Sequence, residues 1–205
     1  MTVVDSAVGR SRISLFRPMN QLRAAPNQLT LVRLCIIPFI VLAVLDHRYR
    51  VAFALFVLAG ITDGMDGLLA RWLRQHTTLG QYLDPVADKL LLSTLFLVLH
   101  HENLISRRVT VLVFGRDLGI LIVAAILYAG VGMRDFRPSI FGKANTLAQI
   151  IALLTVLLSQ FFAPAWVLYI RHLALLATVA FTVISGFHYA WQITRRLSLS
   201  GAANG

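Results

Sequence analysis

A chain of 205 residues fits one domain. With 58% hydrophobic residues and a mean hydropathy of +0.74, its composition excludes an ordinary soluble domain and points to an integral membrane protein. The formal charge of +10 would suit nucleic acid, but in so apolar a chain it better suits anionic lipid head groups.

In chain order, residues 1–25 come first. They carry Arg10, Arg12, Arg17 and Arg23 with Ile13, Leu15, Phe16 and Met19 between them. That mixture predicts either a short amphipathic segment lying on an anionic membrane face or a disordered basic tail, and its polarity speaks against a cleaved leader. Apolar runs follow near 28–46, 50–72, 83–101, 107–130, 143–162 and 165–193, each about long enough to cross a ~30 Å hydrocarbon core. Within a bilayer every such span must be helical, because no water is there to satisfy backbone groups. The expected fold is therefore all-α, a polytopic membrane protein of about six transmembrane helices. It divides into a basic juxtamembrane segment (1–25), a membrane domain (26–196) and a tail (197–205).

Lys and Arg in the connections set the orientation. One side collects Arg10, Arg12, Arg17, Arg23, Arg71, Arg74, Arg134, Arg137, Lys143, Arg195 and Arg196; the other has Arg48, Arg50, Arg107 and Arg108. Both termini and the 73–82 connection are thus expected in the cytoplasm. The single Cys35 excludes an internal disulfide, and its apolar neighbours predict a buried core thiol. His188, Tyr189 and Trp191 are expected in an interfacial aromatic belt, and His76 in solvent. Arg171 and His172 could be interfacial or line an internal groove.

The chemistry is concentrated around the 73–82 connection. Four of the nine acidic residues, Asp63, Asp66, Asp84 and Asp88, lie within or beside two apolar runs. Asp63 and Asp66 are three apart and Asp84 and Asp88 four apart, so each pair shares a helical face. A carboxylate in a membrane segment costs roughly 2.5–3.5 kcal/mol, and such groups usually face a cavity and act there. Four together repel unless cations lie between them, and hard oxygen ligands suit Mg²⁺, Mn²⁺ or Ca²⁺ better than zinc. The alternative is a set of buried ion pairs with Arg71, Arg74 and Lys89. Gly64 and Gly67 leave room for a ligand or a neighbouring helix to come close. Arg71, one turn from the acids, suits a phosphate. No dinucleotide-binding glycine loop, P-loop or cysteine-based metal motif is present.

The stretch resembles the CDP-alcohol phosphotransferase family, whose pattern reads D-x-x-D-G-x-x-A-R-x8-G-x3-D-x3-D. Asp63, Asp66, Gly67, Ala70, Arg71, Gly80, Asp84 and Asp88 match it throughout. Pro26-Asn27-Gln-Leu-Thr30-Leu-Val-Arg33 looks like the first-helix motif of the glycerol-lipid members. The resemblance implies transfer of a phosphatidyl group from CDP-diacylglycerol to an alcohol, with release of CMP. It implies a divalent cofactor, Mg²⁺ or Mn²⁺ and two ions, held by Asp63, Asp66, Asp84 and Asp88, with Asp88 also the general base. Asn27, Thr30, Gly67, Ala70, Arg71 and Gly80 would bind the CDP-lipid; Arg33, Arg116 and Lys143 would bind the acceptor. The glycerophosphate-using members commonly show Arg-Glu where this chain has Arg116-Asp117, and that pair could instead be a buried ion pair. Lys143-Ala-Asn145-Thr146-Leu-Ala-Gln149 looks similar to the cardiolipin-forming members. Glycerol 3-phosphate is the expected acceptor, giving phosphatidylglycerophosphate; phosphatidylglycerol, giving cardiolipin, is the alternative. The implied setting is a bacterial inner membrane with the site facing the cytoplasm. The implied partners are an anionic glycerol-based acceptor and membrane lipids, without nucleic acid and with a homodimer left open. A cation-coupled transporter is the rival class, since intramembrane acids also mark ion paths. The confinement of all four acids to one helix–loop–helix speaks against it.

Overall fold

The computed structural model describes the backbone of residues 25–73, 78–131 and 140–202, and the side chains of 30–64, 86–120, 122, 140, 142–189 and 191. Six helices make up the described chain, with no strand among the described residues: α1 (Ala25–Leu45), α2 (Tyr49–Leu73), α3 (Thr78–His101), α4 (Arg107–Val131), α5 (Ile140–Leu158) and α6 (Ala165–Ala202). Their order and number match the six apolar runs, with boundaries shifted by a few residues.

Two of the connections are tight for a backbone reason. α1 ends where His47 turns left-handed at φ 57°, and α3 where Asn103 does so at φ 59°. In each, two N–H groups turn back onto the last helical carbonyls: His47 to Val44 and Arg48 to Ala43, Asn103 to His100 and Leu104 to Leu99. This is the Schellman closure, which satisfies carbonyls that a helix end otherwise leaves open. It reverses the chain in a few residues, so α1 lies on α2 and α3 on α4. Between α5 and α6 the Pro164 carbonyl accepts from Val167 and Leu168 at 3.0 and 3.3 Å, starting α6.

α1 packs between α2 and α3, α5 pairs along α6, α2 and α3 touch α5, and α4 closes against α3 and α6. The shared core is aliphatic and aromatic: Ile40 and Val44 of α1, Phe56 of α2, Leu92, Leu95, Phe96 and Leu99 of α3, Val113 of α4, and Leu153 and Leu157 of α5. Beside this core, polar side chains are also buried and large apolar ones exposed. Arg33, Asp117, Asn145, Gln149, Thr178, Thr182 and Ser185 are buried, whereas Phe39, Leu42, Val111, Leu173, Leu176 and Phe187 are exposed.

Among the described residues one stretch, Ala165–Tyr189, is long and apolar enough to cross a membrane, and the described parts of α1 and α5, Thr30–Leu45 and Gly142–Leu158, are apolar as well. Cys35 is exposed, not buried as expected. Its neighbours Leu31, Val32 and Phe39 are exposed with it, since an apolar run in such a chain marks the outer face as readily as the core.

Candidate active site

Two of the four acids meet on one cation, each ten residues from the end of its helix. Asp63 lies ten residues before the end of α2 at Leu73, and Asp88 ten residues after the start of α3 at Thr78. At 1.5 Å per residue each sits about 15 Å along its own helix from the end nearest the 73–82 connection. α1 packs against both and contributes Arg33 at that level. The Arg33 guanidinium bridges the two carboxylates: Nη2 lies 2.6 Å from Asp63 Oδ1, and Nη1 donates to Asp88 Oδ1. Arg33 is 1% exposed, while the side chains of Asp63 and Asp88 are 48% and 38% exposed. The cation is thus the buried floor of the cluster, and the carboxylates are its open side. Among the described side chains, these three charges sum to one negative.

A second cluster begins at the next residue of α3. Lys89 Nζ donates to Asp117 Oδ2 at 2.9 Å, and Arg116 Nη1 donates to Asp117 Oδ1 at 2.7 Å. Arg116 Nε donates to Ser185 Oγ at 2.9 Å, and its guanidinium lies 5.6 Å from the centre of the Tyr189 ring. Two cations share one buried carboxylate, leaving one positive charge. Side by side, Asp88 and Lys89 therefore belong to neighbouring clusters of opposite sign. Arg116–Asp117 is a buried pair. Lys89 serves Asp117 rather than the four-acid motif, so the alternative of ion pairs to the motif does not describe this lysine.

Arg33, expected at the acceptor, is placed against Asp63 and Asp88, and Thr30, one turn earlier, is fully buried. Lys143 is exposed at the start of α5. Among the described residues, a Cβ on Gly64 would meet nothing within 4 Å. The side chains of Asn27, Asp66, Gly67, Ala70, Arg71, Gly80 and Asp84 lie outside those described, as do His76 and residues 1–24. Arg171 is an internal tie at the far end of the bundle, donating to the Leu104 carbonyl at 2.9 Å and Ser159 Oγ at 3.4 Å; His172 is exposed.

Sequence reasoning missed Ser185 and the Arg116 contact of Tyr189. The available signal was the row Thr178, Thr182, Ser185, Tyr189 at helical spacing on one face of α6. Such a row is polar where a membrane-facing helix would be apolar.

The profile of CDP-alcohol phosphatidyltransferase matches residues 23–184, which include all four aspartates. The chain belongs to the CDP-alcohol phosphatidyltransferase family. Similar CDP-alcohol phosphatidyltransferases carry two names. A CDP-diacylglycerol–glycerol-3-phosphate 3-phosphatidyltransferase of Bacillus subtilis is 33% identical over 179 residues, covering 80% of this chain and 92% of the relative. One of the same name from Pseudomonas fluorescens is 33% identical over 181 residues, covering 84% and 87%. A cardiolipin synthase (CMP-forming) of Homo sapiens is 29% identical over 184 residues; the match takes in 80% of this chain but only 60% of the human protein's length.

Proposed function

We propose that this protein is an integral-membrane enzyme of phospholipid biosynthesis that transfers the phosphatidyl group of CDP-diacylglycerol to an anionic glycerol-based alcohol, releasing CMP. The observation that carries the reading is the convergence of Asp63 and Asp88, from two helices, on one buried cation at one depth. The burial pattern supports six spans: buried polar side chains stand beside an apolar core, and many large apolar side chains face outward, as a bilayer allows. Charge asymmetry puts both termini and the site on the cytoplasmic side.

The donor set fits hard divalent cations. Carboxylate oxygens are their preferred ligands, and Asp63 and Asp88 already meet around a positive charge with their open sides accessible. Asp63, Asp66, Asp84 and Asp88 would hold two ions, Mg²⁺ or Mn²⁺, which when bound neutralise charge on the pyrophosphate.

The residues of the chain supply the rest. The acceptor hydroxyl oxygen attacks the phosphorus that bears diacylglycerol. Asp88 takes the hydroxyl proton, and the bond from that phosphorus to the bridging oxygen breaks, so that CMP leaves with the electron pair. Arg33 holds the Asp63 and Asp88 carboxylates toward one another, which fixes the direction in which Asp88 can accept a proton. Asn27, Thr30, Gly67, Ala70, Arg71 and Gly80 bind the CDP-lipid, with Arg71 on its phosphates.

Lys89, Asp117 and Arg116 form a pole with one positive charge beside the base, suited to a phosphate on the acceptor, and Lys143 adds a second approach from α5. The favoured acceptor is glycerol 3-phosphate, which carries nearly two negative charges and needs fixed cations to leave water. The Lys143–Gln149 sequence keeps phosphatidylglycerol as the second reading. The test supplies purified protein with CDP-diacylglycerol, Mg²⁺ and both acceptors, and follows CMP and the lipid product. Phosphatidylglycerophosphate is the expected product. Cardiolipin alone would move the acceptor to phosphatidylglycerol, and no CMP with either would overturn the reaction.

A further inference from the structure

Residues 47–51, at the turn from α1 into α2, and residues 160–161, between α5 and α6, line a cavity of about 330 Å³. That is room for a small ligand or a head group. Arg50 stands thirteen residues before Asp63 on α2, about 20 Å along the helix, so the cavity is separate from the acidic cluster.

Two cations line this cavity, Arg48 and Arg50, and no acid does. The nearby Glu102 carboxylate lies 3.3 Å from His47 Nδ1, and Asp46 is exposed outside the lining. Arginines elsewhere in the bundle meet protein acceptors: Arg33 meets Asp63 and Asp88, Arg116 meets Asp117, and Arg171 meets the Leu104 carbonyl. Among the described residues, the side chains of Arg48 and Arg50 have neither a carboxylate nor a hydrogen-bonding partner. Arg50 is held all the same, with its guanidinium 5.8 Å from the centre of the Phe161 ring. Phe161 packs edge-on against Phe53, one turn further along α2, with ring centres 5.6 Å apart. A guanidinium laid on a ring face keeps its N–H edge for an acceptor. α2 begins at Tyr49, so the positive end of its dipole adds to the same potential. The unmatched group is an anion, and paired N–H forks suit a phosphate.

The surroundings say where that phosphate comes from. Phe162 and Trp166 are exposed and pair edge to face at 6.0 Å, as aromatic side chains do at a membrane–water boundary. Val51 of the cavity wall is exposed, and so is Leu58, two turns further along the same face of α2. An apolar strip for hydrocarbon chains therefore starts at the cavity, and a free phosphate would leave it unused. We propose that this cavity binds the phosphate of an anionic membrane phospholipid, at the end of the bundle remote from the 73–82 connection. The lipid is bound there and not converted. The inference rests on the bilayer arrangement proposed above and is independent of the phosphatidyl-transfer chemistry.

The test uses purified full-length protein in detergent without divalent ions. Its probe is dioctanoyl phosphatidylmethanol, which has one phosphodiester charge and no free hydroxyl to act as an acceptor. Dioctanoylglycerol supplies the chains without the phosphate, and inorganic phosphate the anion without the chains. At ten times the half-saturating concentration, phosphatidylmethanol should raise the wild-type thermal midpoint by about 3–6 °C. In Arg48→Gln/Arg50→Gln the half-saturating concentration should rise at least about tenfold, since both phosphate donors are lost. Arg50→Lys should fall between, because it keeps the charge but not the fork. CMP release in detergent alone should stay within about twofold of wild type in both variants, which shows that they are folded. An equal response of wild type and the double variant to phosphatidylmethanol overturns the site, as does no response of wild type. A rise with dioctanoylglycerol as large as with phosphatidylmethanol means that only the chains bind, and overturns it too. Inorganic phosphate acting as well as the lipid replaces the lipid by a soluble anion. No CMP from wild type removes the proposed reaction and leaves the lipid site standing.

Discussion

Replacing Arg33 with Met keeps most of the buried stem and removes the charge that ties Asp63 to Asp88. Breaking a fully buried pair by deleting one partner costs about 3–5 kcal/mol, because the remaining charge is stranded. Here the stranded charges are the two carboxylates, at 48% and 38% exposure, and water can solvate them once the cation is gone. The penalty should therefore be smaller, about 2 kcal/mol for two charge-assisted hydrogen bonds partly replaced by water. For a domain of this size that corresponds to a fall of roughly 4–8 °C in thermal midpoint without divalent ions. The sign of the metal response is the sharper readout. With Arg33 gone the carboxylates lose a competing cation, so added Mg²⁺ or Mn²⁺ should raise the midpoint of Arg33→Met by more than that of wild type. Arg33→Lys should fall between them, because an ammonium restores charge but not the fork that reaches both carboxylates. CMP release should drop in both variants, as Asp88 loses its orientation. If Arg33 instead binds the acceptor phosphate, the acceptor KM rises while the metal-free midpoint and its response to Mg²⁺ stay as in wild type. That result would refute the positioning role.

Asp88→Asn keeps the shape of the proposed base and removes its basicity, so CMP release should fall by at least about 10²-fold with the protein still folded; Asp84→Ala should do the same through the metal. Retained turnover in either variant would remove that residue from its role. Asp117→Asn strands Lys89 and Arg116 around a neutral amide and should cost about 3–5 kcal/mol, whereas Glu102→Gln at the His47–Glu102 contact should cost under about 1 kcal/mol, because His47 is 68% exposed. Chemical denaturation of the two side by side checks the ordering. With Cys35 replaced by Ser, Thr77→Cys and Ala202→Cys should be labelled by an impermeant maleimide from the same face of oriented vesicles; labelling from opposite faces would break the six-span arrangement.

Much of this protein was legible without tertiary structure because the informative signals are local. Six apolar runs follow from composition along the chain, and all six became helices. The spacing of Asp63, Asp66, Asp84 and Asp88 depends only on the helical repeat, and the family pattern is carried by those positions. What remained illegible is non-local. No spacing relates Arg33 to Asp63 and Asp88, or Arg116 to Ser185; those contacts exist because α1 packs between α2 and α3, and α4 against α6. The buried or lipid-facing fate of Cys35 was equally unreadable, since an apolar helix face suits the interior of the bundle and its outer surface alike. The sequence by itself determined the helices, the acidic motif and the class of chemistry, through short-range periodicity and residue type. Only the tertiary structure decided which cation meets which carboxylate, because those pairings depend on how separate helices pack.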